Sequence, residues 1–322
     1  TMKSSTALPT KGTTRLSRKS GKTLARRSTF DLSLMALPGV IFLFIFNYIP
    51  IAGILIAFKN FNNRLGFWGS EWVGLRNFEF LFKSQDAFRI IRNTLGYNLV
   101  FIFLLMACAI TAALLLDAVK RKTCLKIYQT SFFLPYFISW VVAGYMAQTL
   151  FDFDKGILNQ VIKAFGGEEV AWYQEIKPWI GILPLAHVWK NIGFQTVIYY
   201  GAIMSIDQEL YDAAKIDGCR GIHIIRYIVL PLIKPTAIIL TILAIGSIMR
   251  ADFGLFYYIP NNSGMLYEAT DVIDTYIFRV MKQTGDVSIS SAIGFVQSVV
   301  GFVLVMVTNW IVGKINSENA LL

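Results

Sequence analysis

The sequence predicts an all-α integral membrane protein with six spanning helices, and three observations carry that prediction. Of its 322 residues, 55% are hydrophobic and 16% charged, and the mean hydropathy is +0.54. That is well beyond the apolar share of an ordinary soluble domain. Residues 32–58, 93–116, 127–151 and 287–312 are four charge-free runs of 24 to 27 residues, where about 20 suffice to cross a bilayer. The third observation is the placement of Lys and Arg. With the N-terminus inside, six spans put 17 of the 30 basic residues on the inner side and 11 on the outer, with Lys190 and Arg250 inside helices. Excess basic residues mark the cytoplasmic side, so both termini are expected to be cytoplasmic, and the net charge of +10 mostly restates this topology.

The spans are expected at about 32–58, 94–116, 127–151, 179–205, 236–258 and 287–312, together a transmembrane domain of residues 32–313. Residues 1–31 read as a basic, solvated tail in contact with water and anionic lipid. About 30 residues ahead of the first apolar run, with no small-residue cleavage pattern after it, do not make a secretory signal. Gly21-Lys22-Thr23 looks like the end of a phosphate-binding loop, but Leu16 stands where that loop needs glycine. Pro38 and Pro50 bracket the core of span one. The outer loop that follows carries Trp68, Trp72, Phe78, Leu81 and Phe82, with Glu79 and Lys83 between them, and reads as a short interfacial helix.

Span two is featureless and is expected to pack peripherally. Span three contains Pro135, which should kink the helix and free a backbone carbonyl. The outer segment 152–178 shows no periodic core of its own. Spans four and five carry polar and charged groups: Lys190, Asn191 and Gln195 in the former, Arg250 and Asp252 in the latter. A charge inside a bilayer costs at least ~2.5 kcal/mol on insertion scales, so it faces a bundle interior or water. These five residues are therefore candidates to line a solute path, with snorkelling to the interface as the competing explanation. Arg250 and Asp252, two apart, cannot share a helix face unless the helix unwinds there. Span six carries Ser291, Ala292, Gly294, Ser298 and Gly301, small residues that permit close helix contact; residues 314–322 form a short cytoplasmic tail.

Between spans four and five lies an amphipathic loop, residues 205–235. Asp207 can cap a first short helix, with Glu209 favourable in its opening turn. Leu210, Ala213, Ala214 and Asp217 recur at helical spacing, so the apolar members share a face. Gly218 supplies the left-handed position that stops the helix. A second helix follows, with Ile222, Ile225 and Val229 on one side and Pro231 and Pro235 marking its exit. Lys215, Arg220, Arg226 and Lys234 are matched by Asp207, Glu209, Asp212 and Asp217, which leaves nothing for a nucleic-acid backbone. Cys108, Cys124 and Cys219 have no metal or redox spacing, and His187 and His223 stand alone, so no metal site and no catalytic residues are expected.

The run Asp212-Ala213-Ala214, then Asp217-Gly218, then Leu230-Pro231 resembles the EAA motif of membrane subunits of binding-protein-dependent ABC importers. The spacing from the first acid to the proline matches without a gap; Asp212 stands for the usual Glu, Cys219 for Ala, and Ile225 where Phe is common. NYIPIAGILIAFKNF (47–61), WVGLRNFEFLF (72–82) and DVIDTYIFRV (271–280) are similar to sugar-class permeases. QTSFFLPYFISWVV (129–142) and VWKNIGFQTVIYYGA (188–202) look like the subset serving oligo- and polysaccharide importers, alginate importers among them.

The resemblance implies a six-helix type I importer subunit with a coupling-helix loop in the bacterial inner membrane. Asp212, Ala213, Ala214, Asp217, Gly218, Leu230 and Pro231 would engage an ATPase. By the same resemblance the partners are a second related permease, two ABC ATPase subunits and an external solute-binding protein. This chain would bind no cofactor and no nucleic acid, with ATP and Mg2+ held by the ATPases. The longest stretch outside the expected spans is a 34-residue loop, too small for an NTP-hydrolysing domain. Two rival classes remain. A secondary transporter needs mid-membrane coupling carboxylates and commonly inverted repeats, of which only Asp252 is present. A multi-pass glycosyltransferase needs an acid pair at the interface; Asp152 and Asp154 are the nearest, on the outer side.

Overall fold

The computed structural model describes residues 33–79 and 84–315. The tail of residues 1–31, Leu32, the outer-loop residues Leu81, Phe82 and Lys83, and residues 316–322 lie outside the described residues. The chain falls into two units, Thr1–Ile54 and Leu55–Leu322. Helix α1 (Ser33–Phe58) starts in the first. Its turns widen to a π-helix at Phe44–Tyr48 and tighten to a 3-10 helix over Ile49–Phe58. Pro50 explains the widening. A proline lacks the N–H that would bond the carbonyl four residues back, and its ring pushes that carbonyl aside. The displaced carbonyl is that of Phe46, inside the wide turn.

Of the interfacial helix expected in the outer loop, the part at Leu81 and Phe82 lies outside the described residues; the described part holds only the short helical turns Gly66–Gly69 and Arg76–Phe78. Gly66, which opens the single helical turn Gly66–Gly69, and Gly74 adopt φ of +67° and +60°. Around the Gly66 turn the chain doubles back into a small antiparallel ribbon of β1 (Lys59–Asn60) and β2 (Glu71–Trp72), Lys59 opposite Trp72. Buried Lys59 donates to the Phe67 carbonyl at 2.9 Å and lies near the rings of Phe67 and Trp72. The Asn77 amide closes the ribbon, donating to the carbonyls of Ala57 and Lys59.

Nine further helices of at least eight residues follow among the described residues, with a shorter helix between two of them. They are α2 (Gln85–Asp117), α3 (Lys122–Phe137), α4 (Trp140–Phe151), α5 (Ile157–Ala164) and α6 (Ile176–Met204). Then come α7 (Gln208–Ile216), α8 (Ile222–Gly246), the short α9 (Phe253–Tyr258), α10 (Ile273–Thr284) and α11 (Val287–Ile315). Helices α1, α2, α8 and α11 are long and apolar enough to span a membrane. The bent pair α3–α4 would make a fifth span, and α6, with 29 residues, has the length but carries Lys177 and Lys190.

Helix α2 is central rather than peripheral. Ala109, Ala112 and Ala113 are buried, and such small side chains let neighbouring helices approach closely. Ala109 and Ala113 pack with Tyr199 and Ile203 of α6 and with Val229 and Ile233 of α8. Further along α2, Tyr97 and Phe101 share a cluster with Ala143 and Ala147 of α4, Trp179 and Leu183 of α6, and Leu255 and Phe256 of α9. The small residues of α11 serve as expected at two points. Ala292 is fully buried against Ala57 and Phe78, and a Cβ on Gly301 would sit 2.8 Å from the Gly246 carbonyl of α8.

Two expected spans are built differently. Residues 127–151 do not bend gently at Pro135; α3 ends at Phe137 and α4 starts at Trp140 after a turn of 95°. The expected span 236–258 begins earlier and ends sooner. Helix α8 runs unbroken from Ile222 to Gly246, and residues 247–252 are unwound before α9. Pro231 and Pro235 therefore do not end the second loop helix. The reason repeats that in α1: a π turn at Ile225–Val229 contains Tyr227, whose carbonyl Pro231 would otherwise strike. Nor is the outer segment 152–178 without order. Asn159, 1% exposed, bonds the carbonyls of Phe153 and Val170, the Val170 N–H and the Trp172 indole, tying α5 to the start of α6.

The start of α2 is clamped to residues 268–279 by polar contacts. The Asp271 carboxylate, fully buried, pairs with Arg89 at 3.0 Å and Arg279 at 2.6 Å and accepts from the Thr275 hydroxyl. Arg92 and Glu268 pair at 2.7 Å, both about half exposed. Removing one partner of a buried ion pair strands the other charges, at about 3–5 kcal/mol, whereas an exposed pair is worth roughly 0–1. Asp271→Ala should accordingly lower the thermal unfolding midpoint of the purified chain far more than Glu268→Ala, which should lie close to the parent. Equal shifts for the two variants contradict the assignment.

Candidate functional site

The loop between α6 and α8 is a helix, a glycine turn and a second helix. The Asp207 carboxylate caps α7, accepting from the Glu209 N–H at 3.0 Å. At the other end Gly218 has φ +82°, and Cys219 N–H donates to Ala214 O at 2.9 Å while Gly218 N–H donates to Lys215 O at 3.1 Å. Those two bonds make a Schellman cap, which needs a left-handed residue at the glycine position. A side chain at 218 would meet nothing within 4 Å, so only backbone strain, about 1–2 kcal/mol, opposes it.

The face that α7 buries differs from the expected one. Tyr211 and Ala214 turn inward, because three residues of helix return nearly to the same side; Ala214 is buried, and Tyr211 packs with Ile206 and Ile224 against the cluster of α2, α6 and α8. Leu210 and Ala213 are left outward, and Ile216, Ile222 and Tyr227 are 87%, 68% and 67% exposed. In α8, Val229 is buried, Ile225 half-buried and Ile222 exposed; the π turn between them shifts the register that sequence spacing assumes. Leu230 and Pro231 are exposed at the start of the regular part of α8. Asp212 and Lys215 pair at 2.8 Å on the surface. The lysine's hydrogen bond and charge hold the Asp212 carboxyl below the usual carboxylate range.

The candidate path residues meet at the two interruptions. Lys190 of α6 donates to the carbonyls of Tyr136 (3.0 Å), Pro135 (3.5 Å) and Ile138, the groups freed where α3 stops. Its ammonium also lies 5.2 Å from the Trp140 ring centre. Gly193, one turn on from Lys190, lets α3 approach so closely that any Cβ there would overlap the backbone of Phe132. Asn191 bonds back to the His187 carbonyl of its own helix at 3.0 Å. Among the described residues, Gln195 keeps a buried side-chain oxygen without a partner, as does neighbouring Thr196.

Arg250 and Asp252 do not lie in a helix at all. The unwinding at 247–252 resolves the problem of their spacing. Asp252 caps α9, accepting from the N–H groups of Gly254 and Leu255, and takes the Trp140 indole N–H at 2.7 Å. Arg250 is exposed.

The unwound backbone has its own supports, none apparent from sequence. Asn98 of α2 donates to the carbonyls of Ile248 (2.8 Å) and Arg250 (3.0 Å). Gln297 of α11 donates to Met249 O at 2.8 Å, and Asp274 of α10 accepts from the Ala251 N–H at 2.7 Å. Burial pushes the Asp274 carboxyl up, against the pull of its bonds to Ala251 and Gln297. The available signal was the amides within two otherwise apolar runs, Asn93 and Asn98 in one and Gln297 and Asn309 in the other. Among the described residues no three His, Cys, Asp or Glu side chains gather as a metal site, and the three cysteines are free thiols.

Comparison with known proteins gives the following. The family described as binding-protein-dependent transport system inner membrane component matches residues 105–317. Protein LplB of Bacillus subtilis (strain 168) is 33% identical over 287 residues, covering 89% of this chain and 90% of its own. The polygalacturonan/rhamnogalacturonan transport system permease protein YteP of the same organism is 35% identical over 287 residues, 89% of each chain. In solved structures, a chain of a bacterial ABC transporter involved in the import of the acidic polysaccharide alginate superposes with a TM-score of 0.82 at 30% identity, covering 93% of this chain and 100% of that one. A chain of the alginate transporter in complex with an alginate pentasaccharide-bound periplasmic protein gives 0.81, also at 30% identity, covering 90% and 96%.

Because Lys190 is engaged by the carbonyls of the bend, its loss should act on the fold before it acts on solute. Leaving a buried carbonyl unpaired costs about 1–3 kcal/mol, and those of Pro135 and Ile138 are half-buried. Lys190→Met should lower the thermal midpoint of the purified protein by several degrees while the KM for solute uptake, measured on the surviving fraction, stays within about twofold. An unchanged midpoint with a much higher KM contradicts this placement.

Proposed function

The chain belongs to the binding-protein-dependent transport system inner membrane component family, and from that premise we propose that it forms half of the translocation path of an ATP-driven importer for an acidic oligo- or polysaccharide. It is a multi-pass membrane permease, a transport subunit rather than an enzyme. The observation that carries the coupling mechanism is the 205–235 loop. Its glycine-hinged helix pair packs one side onto α2 and α6 and leaves Leu210, Ala213, Ile216, Ile222 and Tyr227 outward. An apolar surface of this kind on a small polar helix pair is what a protein partner covers.

In this reading Asp212, Ala213, Ala214, Asp217, Gly218, Leu230 and Pro231 form the element that enters a cleft of a cytoplasmic ATPase. Ala214 holds α7 on the bundle, Gly218 sets the angle between the helices, and Ala213 keeps the outer face flat. Two ATPase subunits supply ATP and Mg2+, a second related permease supplies the other half of the path, and an external solute-binding protein delivers the cargo. The six spans are α1, α2, α3–α4, α6, α8 and α11, set in the bacterial inner membrane with both termini in the cytoplasm. The solute class follows from the likeness to an alginate importer and to a polygalacturonan/rhamnogalacturonan permease; both cargoes are uronate-bearing polymers, and alginate itself is among the candidates. Exposed Arg250 at the unwound segment is a group available to meet such a chain.

Two measurements test this. Ala213 is exposed, so Ala213→Phe should leave the isolated permease as stable as the parent, within roughly 0.5 kcal/mol. The ATPase co-purifying with it should fall at least tenfold; full retention of the ATPase contradicts the docking role. In the reconstituted importer with its solute-binding protein, alginate and polygalacturonate oligosaccharides should stimulate ATP hydrolysis several-fold more than neutral glucans. Equal stimulation by both classes overturns the solute assignment.

A further inference from the structure

Two spans of this chain are interrupted, and the two interruptions touch. Helix α4 begins just after the bend that ends α3, and α9 begins just after the unwound stretch that ends α8. The Trp140 indole, at the first turn of α4, donates to the Asp252 carboxylate that caps α9, at 2.7 Å. The face of the same ring lies 5.2 Å from the Lys190 ammonium. One side chain thus meets a cation with its electron-rich face and an anion with its N–H, so neither charge needs a direct ionic partner.

The packing around this contact leaves no slack. A Cβ on Gly254 of α9 would overlap the Trp140 indole, and a Cβ on Gly144 of α4 would sit 2.9 Å from the Tyr258 carbonyl. Ala143 and Ala147 of α4 share a buried cluster with Leu255, Phe256 and Ile259 from α9 and the residue after it. Each helix is joined to the rest of its span by non-helical backbone, 138–139 for α4 and 247–252 for α9.

We propose that Trp140 is a positioning residue that fastens α4 and α9 into one rigid tongue, which moves as a body against α2 when the translocation path opens. A tightly packed pair on two non-helical connections can take discrete positions without changing its internal geometry. Asp252 and Lys190 set that geometry through the indole. The motion rests on the importer reading, whereas the internal rigidity of the tongue does not.

The test uses distances between nitroxide spin labels in the complete importer in lipid nanodiscs, with the three native cysteines replaced by serine. Labels at Tyr145 on α4 and Asn261 just past α9 report the tongue; Tyr145 with Phe103 on α2 reports its motion, all three sites being exposed. The first pair should give one narrow distribution, unchanged between the nucleotide-free and ATP–vanadate-trapped states, while the second pair shifts. Trp140→Phe, which keeps the ring but loses the N–H, should split or widen the first distribution, and Gly254→Ala should do the same by displacing the indole. Asp252→Asn retains an acceptor oxygen and should stay narrow.

A shift in the first pair between states, a still second pair, or a Trp140→Phe distribution as narrow as the parent overturns the proposal. Failure of the importer reading shows separately, as an ATPase that does not bind. The first pair in the permease alone then still reports whether the indole holds the tongue.

Discussion

The backbone of a chain in lipid has no water to bond, so each carbonyl and N–H freed by a break in a helix must be met by another part of the protein. The layout here follows from that constraint at two points. Lys190 reaches from α6 to the carbonyls at the end of α3, and Asn98, Gln297 and Asp274 reach from three helices to the stretch after α8. A helix end met in this way can sit inside the bundle, whereas an unmet one could not. Non-helical backbone of this kind is tolerated at membrane depth where it is buried in protein or lines a cavity.

The same arrangement shows how a push at one end could reach the other. Helix α8 is continuous from Ile222, in the exposed loop, to Gly246, at the edge of the unwound stretch. At 1.5 Å per residue its 25 residues form a rod of about 38 Å. Val229 and Ile233 rest against the alanines of α2, and the close contact at Gly246 and Gly301 ties the far end to α11. A tilt imposed on α7 and the Gly218 turn therefore arrives at 247–252, where Arg250 and Asp252 are. The glycine turn is the softest point of the loop, and the rod behind it is stiff. That order of stiffness suits a lever.

Features set by neighbouring residues were legible from the sequence. The Asp207 cap and the left-handed Gly218 involve bonds within two to five residues, and both are where spacing placed them. The family likeness was legible because the acid-to-proline spacing is a property of the chain alone. Features decided by distant partners were not. Nothing in the charge-free run of α2 reveals that Asn98 supports another helix, and its alanines read as featureless until α6 and α8 are laid on them. Pro231 and Pro235 read as stops because a proline in a regular helix is one, yet the widened turn at Ile225–Val229 accommodates Pro231 and the helix continues through Pro235. Arg250 and Asp252 carried their own warning, since two residues apart each needed a separate partner unless the helix unwound, and unwound backbone is what holds them.

The account comes down to a loop that faces the cytoplasm and is covered there by a separate motor subunit. Cys219, next to the Gly218 turn, reports both properties directly once Cys108 and Cys124 are replaced by serine. A membrane-impermeant maleimide applied to sealed vesicles should label Cys219 only when the cytoplasmic face is outward, and bound ATPase should slow that labelling. Labelling from the opposite face, or at a rate indifferent to the ATPase, would contradict the account.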